Sequence, residues 1–139
     1  MSAITIYFPP VCLDDLAEIR RLIESAVVCL WEPGEIVTEL VIAINEAVTN
    51  VLVHGYQGQP GHMVVKVSRD NAALRVCLQD QAWPFNPTAV PTPDITLPLA
   101  QRQPGGMGVH LMRQFTHRLQ YRALLEGGNE LVLVRQIEG

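Results

Sequence analysis

The chain has 139 residues, enough for one domain whose core folds without a metal or a disulfide. Its 10 basic and 14 acidic residues give a formal net charge of -4 at pH 7, and the basic residues are scattered along the chain. This charge pattern argues against direct binding of nucleic acid.

The first residues, MSAITIYFPP, contain neither the basic region nor the long apolar stretch of a signal peptide. Residues 3–8 are rich in β-formers and predict a short strand that ends at Pro9 and Pro10. The three cysteines lie far apart and form no C-x-x-C pair, which suits a reducing compartment. We therefore expect a cytoplasmic protein with no membrane partner.

Two helices are predicted next. Apolar residues recur at helical spacing from Leu13 to about Leu30 and predict the first helix. Residues 35–54 are harder to assign, because their many β-branched side chains favour a strand. A run of this length without glycine or proline exceeds an ordinary strand, so we predict a second helix. Gly55 then stands where a left-handed C-terminal cap is expected.

A hairpin and a proline-rich segment follow. Residues 62–68 and 74–79 predict antiparallel strands that lead to Asp80. Six of the ten prolines lie in the next segment, which therefore cannot be a continuous helix or a central strand. Long segments of this kind in a compact domain are lids, binding loops or disordered inserts. We interpret residues 86–104 as a lid, with a passive disordered insert as the alternative.

The last part of the chain predicts a helix and a second hairpin. PGGMGVHLMRQF places three glycines before a third helix, and strands near residues 117–124 and 129–137 follow. The order of elements predicts a two-layer α/β (α+β) sandwich, in which a mixed, mostly antiparallel sheet is covered on one face by three helices. We assign residues 1–139 to this single domain.

Three polar residues, Glu46, Asn50 and His54, lie four positions apart in the second predicted helix and so share one side of it. A polar face exposed to water is one interpretation. The other faces of this helix are also apolar, however, which indicates burial and a need for polar partners. Because carboxylate and amide oxygens suit Mg²⁺ and its waters, a hydrated metal with a phosphate chain would supply those partners.

Two further features suggest a ligand without establishing one. Gly105, Gly106 and Gly108 precede the third helix, whose N-terminus offers free N–H groups to a phosphate. The same cluster would also serve as a flexible hinge, and it is neither a Walker A motif nor a dinucleotide fingerprint. Asp80, at a strand end before WPFNP, is either a turn residue or an acceptor for a ligand amino group.

Together these motifs occur in the order typical of the GHKL superfamily of ATP-binding domains. The stretches NEAVTNVLVHGY, DQAWPFNP and GGMGVHLMRQFTHRLQYR resemble the anti-sigma factor serine/threonine protein kinases in particular. The resemblance covers nearly the whole chain. It implies the Bergerat fold of histidine-kinase-like ATPase domains, with ATP and Mg²⁺ bound between the second helix, the lid and the third helix.

The resemblance also implies roles for individual residues. Glu46 matches the catalytic base for a serine hydroxyl, and Asn50 matches the Mg²⁺ ligand. Asp80 matches the acceptor for the adenine amino group, whereas His54 either approaches the phosphates or only packs at the helix end. The remaining matches form the phosphate-covering loop and a looser phosphate contact beside it: Gly105, Gly106, Met107, Gly108 and Arg102.

Two positions depart from the family pattern on the adenine side. Ala82 replaces the glycine of D-x-G, and an alanine forced into a left-handed conformation there would cost about 1–2 kcal/mol. Asn129 replaces the threonine that follows the glycine of the last hairpin and contacts the adenine region. The Mg²⁺ and phosphate side of the pattern is intact.

The function implied by the resemblance is an ATP-dependent anti-sigma factor kinase. Such an enzyme phosphorylates a STAS-domain anti-anti-sigma partner on serine and sequesters a sigma factor, and the family's usual state is a homodimer. The alternative is a non-catalytic partner-switching module with weakened or absent nucleotide binding, which the departures at Ala82 and Asn129 would favour.

Overall fold

A computed structural model describes residues 2–89 and 106–137 of the chain. The described strands are β1 (Ser2–Val11), β2 (Gly61–Arg69), β3 (Ala73–Asp80), β4 (Arg118–Ala123) and β5 (Asn129–Gln136), and the α-helices are α1 (Leu16–Leu30), α2 (Glu35–Asn50) and α3 (Gly106–Phe115). Short 3-10 turns at Leu13–Asp15 and Pro87–Ala89 and a π-helical turn at Val51–Gly55 complete the described elements. The order along the chain is the one that the sequence predicts.

The five strands form one sheet in the order β1-β2-β3-β5-β4. Each of the four described pairings is antiparallel, so these strands contain no parallel pair where the sequence allowed a mixed sheet. The β4–β5 turn places Gly127 and Gly128 at φ values of 99° and 96°, which glycine adopts without the steric cost of a side chain. The predicted α/β architecture is confirmed.

The core lies between one face of the sheet and the helices. Helix α2 is its centre, because several of its side chains are fully buried against β2, β3 and β5. Those of α2 are Leu40, Ala43, Ile44 and Val48, and those of the sheet include Val65, Val67, Leu74, Val76 and Leu133. Along β2 and β3 buried residues alternate with more accessible ones, so the described helices cover one face of the sheet.

The first strand is longer than the sequence predicts. It continues through Pro9 and Pro10 to Val11, and its pairing with β2 shifts register between Phe8 and Val11. Because β1 lies at the edge of the sheet and the two prolines fall within this irregularity, no central ladder bond is lost.

Among the described residues, one helical segment is long and apolar enough to cross a membrane by length and composition alone. It comprises α2 and the π-helical turn, Glu35–Gly55, with a mean hydropathy of 1.7. In this fold 44% of its most apolar window is buried within the domain. The core helix of a globular domain can have the same composition, since the face that packs against the sheet is apolar.

One arginine on β5 forms hydrogen bonds with both α2 and α3. Arg135, on β5, donates from Nη2 to Glu39 Oε1 of α2 at 2.8 Å and from Nη1 to the carbonyl oxygen of Phe115 at 2.9 Å. The second bond satisfies a carbonyl at the C-terminus of α3, where a positive charge also complements the helix dipole. Arg135 thus links α3 to α2, which also pack directly against each other.

Candidate functional site

The predicted polar stripe on α2 is only partly continuous. Glu46 and Asn50 are half-buried on the regular helix, whereas His54 is exposed. The reason is the π-helical turn, which begins after Asn50 and in which Tyr56 N donates to Val51 O at 2.8 Å. A wider turn rotates the following side chains away from the i, i+4 line, and such turns are frequent at functional sites.

The carboxylate of Glu46 lies against the first turn of α3. A Cβ added to Gly108 would stand 2.7 Å from Glu46 Oε2, so no side chain fits at this position without displacing the carboxylate. This close approach explains the glycine at 108. It also places an acidic group beside the helix N-terminus that begins at Gly106, where backbone N–H groups have no partner within the helix.

The amide of Asn50 is the next polar group along α2. Its Nδ2 atom is buried and has no hydrogen-bond partner among the described residues. A buried amide without a partner costs free energy, and such groups in folded proteins usually have an explanation in an ion, a water molecule or a ligand. Asn50 therefore fits a site that is completed by a ligand.

Asp80 is buried, with 7% of its surface exposed, at the end of β3. Its Oδ1 atom accepts hydrogen bonds from Ala82 N at 2.9 Å and from Asn129 Nδ2 at 2.8 Å. Burial raises the pKa of the Asp80 carboxyl above its usual range, and the hydrogen bonds from Asn129 and Ala82 oppose this effect. In the described part of the chain, Asp80 Oδ2 has no hydrogen-bond partner and is the atom available to a ligand.

The departure at Ala82 does not strain the backbone. Gln57, at φ 54°, is the non-glycine residue with a positive φ in the described ranges, so Ala82 is not left-handed and the cost considered from the sequence does not arise. The methyl group of Ala82 instead packs against Gly55, where an added Cβ would meet Ala82 Cβ at 2.9 Å. The prediction that Gly55 is a left-handed helix cap is wrong; its lack of a side chain makes room for Ala82.

The ring of Phe85 covers the space between the two sides of the site. It stacks on the ring of His54, with centroids 5.7 Å apart and an interplanar angle of 24°. The cavity bounded by Asn50, Asp80 and Phe85 is about 20 Å³, room for about one water molecule. Because small-molecule pockets typically measure ~300–1,000 Å³, this cavity as it stands is too small for a nucleotide base.

The structure brings Glu46, Asn50, Asp80, Ala82 and Asn129 together around this cavity and the first turn of α3. For Gly106 and Met107 it describes the backbone, which forms the first residues of α3. Arg102, Gly105 and the predicted lid beyond residue 89 lie outside the described residues.

Sequence reasoning missed two residues of the site, Phe85 and Tyr121. Phe85 lies in the stretch DQAWPFNP, but nothing local in the sequence indicates that its ring reaches His54. Tyr121 lies on β4 and donates a hydrogen bond to Asn129 Oδ1, a pairing that follows only from the β4–β5 register.

Comparisons with known proteins place this arrangement in a family. The profile of the histidine kinase-like ATPase domain matches residues 10–135 of the chain. Serine/threonine-protein kinase BtrW of Bordetella bronchiseptica is 32% identical over 97 residues, which span 68% of this chain and 66% of that protein. An anti-sigma F factor of Halalkalibacterium halodurans is 29% identical over 56% of this chain and 54% of its own length. Another anti-sigma F factor, from Bacillus cytotoxicus, is 30% identical over 72% of this chain and 70% of its own length. The matched region thus covers less than two thirds of the first two relatives.

Proposed function

The chain belongs to the histidine kinase-like ATPase domain family, and from this premise we propose that it is an ATP-dependent protein serine/threonine kinase of the anti-sigma factor type. Its ligands are ATP and Mg²⁺. Its protein substrate is a STAS-domain antagonist that carries the acceptor serine, and its second partner is a sigma factor that it holds when the antagonist is absent or phosphorylated.

The observation that carries this proposal is the contact between Glu46 and Gly108. A domain that only binds nucleotide has no need of a carboxylate beside the N-terminus of α3, because a negative charge there disfavours a phosphate. A protein kinase does need one, since an acceptor hydroxyl must lose its proton as it attacks. Names of the relatives support the same reading, because one is a serine/threonine-protein kinase and two are anti-sigma F factors.

Each residue has a distinct role in this function. Glu46 takes the proton of the serine hydroxyl, a contribution typically of ~10²- to 10⁴-fold in rate. The Asn50 amide oxygen is a hard ligand suited to Mg²⁺. Its buried Nδ2 atom, which has no hydrogen-bond partner among the described residues, would donate to a phosphate oxygen or to a water of the bound group. Asp80 Oδ2 accepts a hydrogen bond from the adenine amino group. Mg²⁺, when bound, neutralises charge on the phosphates.

The test is phosphoryl transfer from γ-labelled ATP to purified STAS-domain proteins of the same organism. We expect phosphoserine on one of those proteins in the presence of Mg²⁺, and a loss of at least ~10²-fold in rate with Glu46→Gln, which keeps the shape of the side chain but removes the base. Glu35→Gln, which changes an exposed carboxylate in the first turn of the same helix, is the matched control. Undiminished transfer by Glu46→Gln would refute the catalytic role.

A second candidate function is a partner-switching module that does not bind nucleotide. The observation that favours it is the cavity of about 20 Å³ beneath Phe85. Titration calorimetry with ADP and ATP separates the two functions. Mg²⁺-dependent binding excludes the nucleotide-free module, and no binding at millimolar nucleotide excludes the kinase.

The remaining assignments extend this proposal. We place the protein in the cytoplasm, since its partners act on transcription, and expect a homodimer, in line with the resemblance to anti-sigma factor kinases. We propose that residues 86–104 are the ATP lid of a single domain, residues 1–139. Arg102, Gly105, Gly106, Met107 and Gly108 would then contact the phosphates.

A further inference from the structure

The side chain of Asn129 is fully engaged within the protein. Its Nδ2 atom donates to Asp80 Oδ1 at 2.8 Å, to Trp83 O at 3.1 Å and to Ala82 O at 3.3 Å. Its Oδ1 atom accepts from Phe85 N at 3.0 Å and from the hydroxyl of Tyr121. A primary amide has two donor hydrogens and two acceptor lone pairs, so Asn129 has none left for a ligand.

We infer that Asn129, held by Tyr121, is a positioning residue for nucleotide selection and does not contact the nucleotide itself. This inference rests on the proposed function. It revises the role implied by the resemblance, in which the residue at this position contacts the adenine region. In the structure Asn129 acts through Asp80 and through the backbone of residues 82–85.

The network determines which oxygen of Asp80 faces a ligand. Both hydrogen bonds that Asp80 accepts from its neighbours, from Ala82 N and Asn129 Nδ2, go to Oδ1. Rotation of the carboxylate would break both, so Oδ2 is held as the free acceptor. A fixed acceptor favours adenine, whose amino group donates a hydrogen bond to it. It disfavours guanine, whose carbonyl oxygen at the equivalent position would be repelled.

The same amide also holds the segment that leads into the proposed lid. Asn129 contacts three backbone groups there, Ala82 O, Trp83 O and Phe85 N. On the other side of Asp80, the Gln81 N–H donates to the hydroxyl oxygen of Tyr56 at 2.7 Å. Residues 81–85 are thus held by two side chains: Asn129 on β5, and Tyr56 just after the π-helical turn.

A threonine cannot replace this network. Its hydroxyl has one donor hydrogen, which cannot serve Asp80 Oδ1 and Trp83 O together, and the shorter side chain does not extend to Phe85 N from the same backbone position. Asn129→Thr therefore frees the Asp80 carboxylate to rotate. Tyr121→Phe is milder, because it removes one hydrogen bond to Asn129 Oδ1 and leaves the amide in place.

The experiment measures ADP and GDP affinities by calorimetry for the wild type and both variants. We expect the ratio of GDP to ADP dissociation constants to fall at least tenfold in Asn129→Thr and about threefold in Tyr121→Phe. Tyr7→Phe, at a 77% exposed tyrosine on β1, is the control and should leave the ratio unchanged. Equal loss of ADP and GDP affinity in both variants would mean a merely structural role and would overturn the inference.

A second measurement does not depend on nucleotide binding. Carbon NMR of the Asp80 carboxyl group in the free protein reports its pKa, and loss of the Asn129 hydrogen bond should raise it in Asn129→Thr. An unchanged pKa would overturn the inference. If the wild type binds neither ADP nor ATP, the proposed function fails, whereas the shift in the Asp80 pKa still decides whether Asn129 positions this carboxylate.

Discussion

Replacement of Gly108 by alanine should reduce phosphoryl transfer without destabilising the fold. The added Cβ would lie 2.7 Å from Glu46 Oε2, and ordinary contact begins at 3.4 Å, so the carboxylate must shift by about 0.7 Å. A misplacement of about 1 Å at a catalytic group costs ~10²-fold in rate. We therefore expect kcat to fall between about tenfold and a hundredfold.

The stability of the fold should not decrease in Gly108→Ala, because the added methyl group meets only the end of a flexible side chain. Alanine favours a helix over glycine by about 0.5–1 kcal/mol, so the free energy of unfolding should stay the same or rise. Urea denaturation measures this quantity. Gln114→Ala, at an exposed position of the same helix, is the control and should affect neither folding nor transfer.

A double-mutant cycle identifies the cause of the loss. Single-turnover transfer is measured for the wild type, Gly108→Ala, Glu46→Gln and the double variant. If Gly108→Ala acts by moving the Glu46 carboxylate, it should add little to the loss already caused by Glu46→Gln, because the two changes remove the same contribution. Unchanged kcat, or a full additional loss in the double variant, would refute the reasoning.

Three further outcomes are expected. Asp80→Asn should raise the thermal midpoint at pH 7 and weaken ADP binding. Burial raises the pKa of Asp80, so the ionised carboxylate lowers the stability of the wild type at any pH above that pKa. The gain in thermal midpoint over the wild type should therefore shrink as the pH falls through the pKa of Asp80. Phe85→Ala should speed ADP association severalfold in stopped-flow fluorescence, because the ring on His54 closes the cavity. An unchanged rate would mean that another step limits entry. Burial raises the pKa of Cys77 from 9.0 to about 11, which lowers its thiolate fraction at pH 8 roughly a hundredfold. Alkylation mapped by mass spectrometry should therefore label the half-buried Cys77 far more slowly than the exposed Cys29, and equal rates would contradict the raised pKa of Cys77.

Helical spacing and turn residues were sufficient to predict the order of elements. The assignment of α2 shows why: its β-branched residues favour a strand, but its length and the spacing of Leu40, Ile44 and Val48 suit a helix packed on a sheet. The sequence does not show which strand lies at the edge of the sheet. It therefore could not predict that β1 continues through Pro9 and Pro10, which an edge strand tolerates.

The spatial grouping of the candidate site residues was predictable where they lie on one helix and not where they meet across the fold. Glu46 and Asn50 follow from i, i+4 spacing. The π-helical turn that turns His54 away has no strong local signal, because it depends on the i to i−5 hydrogen-bond pattern of the folded chain, such as Tyr56 N to Val51 O. The fit of Ala82 against Gly55 and the hydrogen bond from Tyr121 to Asn129 depend on pairings that only the folded chain brings together.

The most direct test of the proposed site is a crystal structure with Mg²⁺ and a non-hydrolysable ATP analogue. We expect the adenine amino group within hydrogen-bond distance of Asp80 Oδ2, Mg²⁺ on the amide oxygen of Asn50, and Phe85 displaced from His54. An analogue bound elsewhere, or an intact stack of Phe85 on His54 with Asn50 unliganded, would contradict the assignment of an ATP site between α2 and α3.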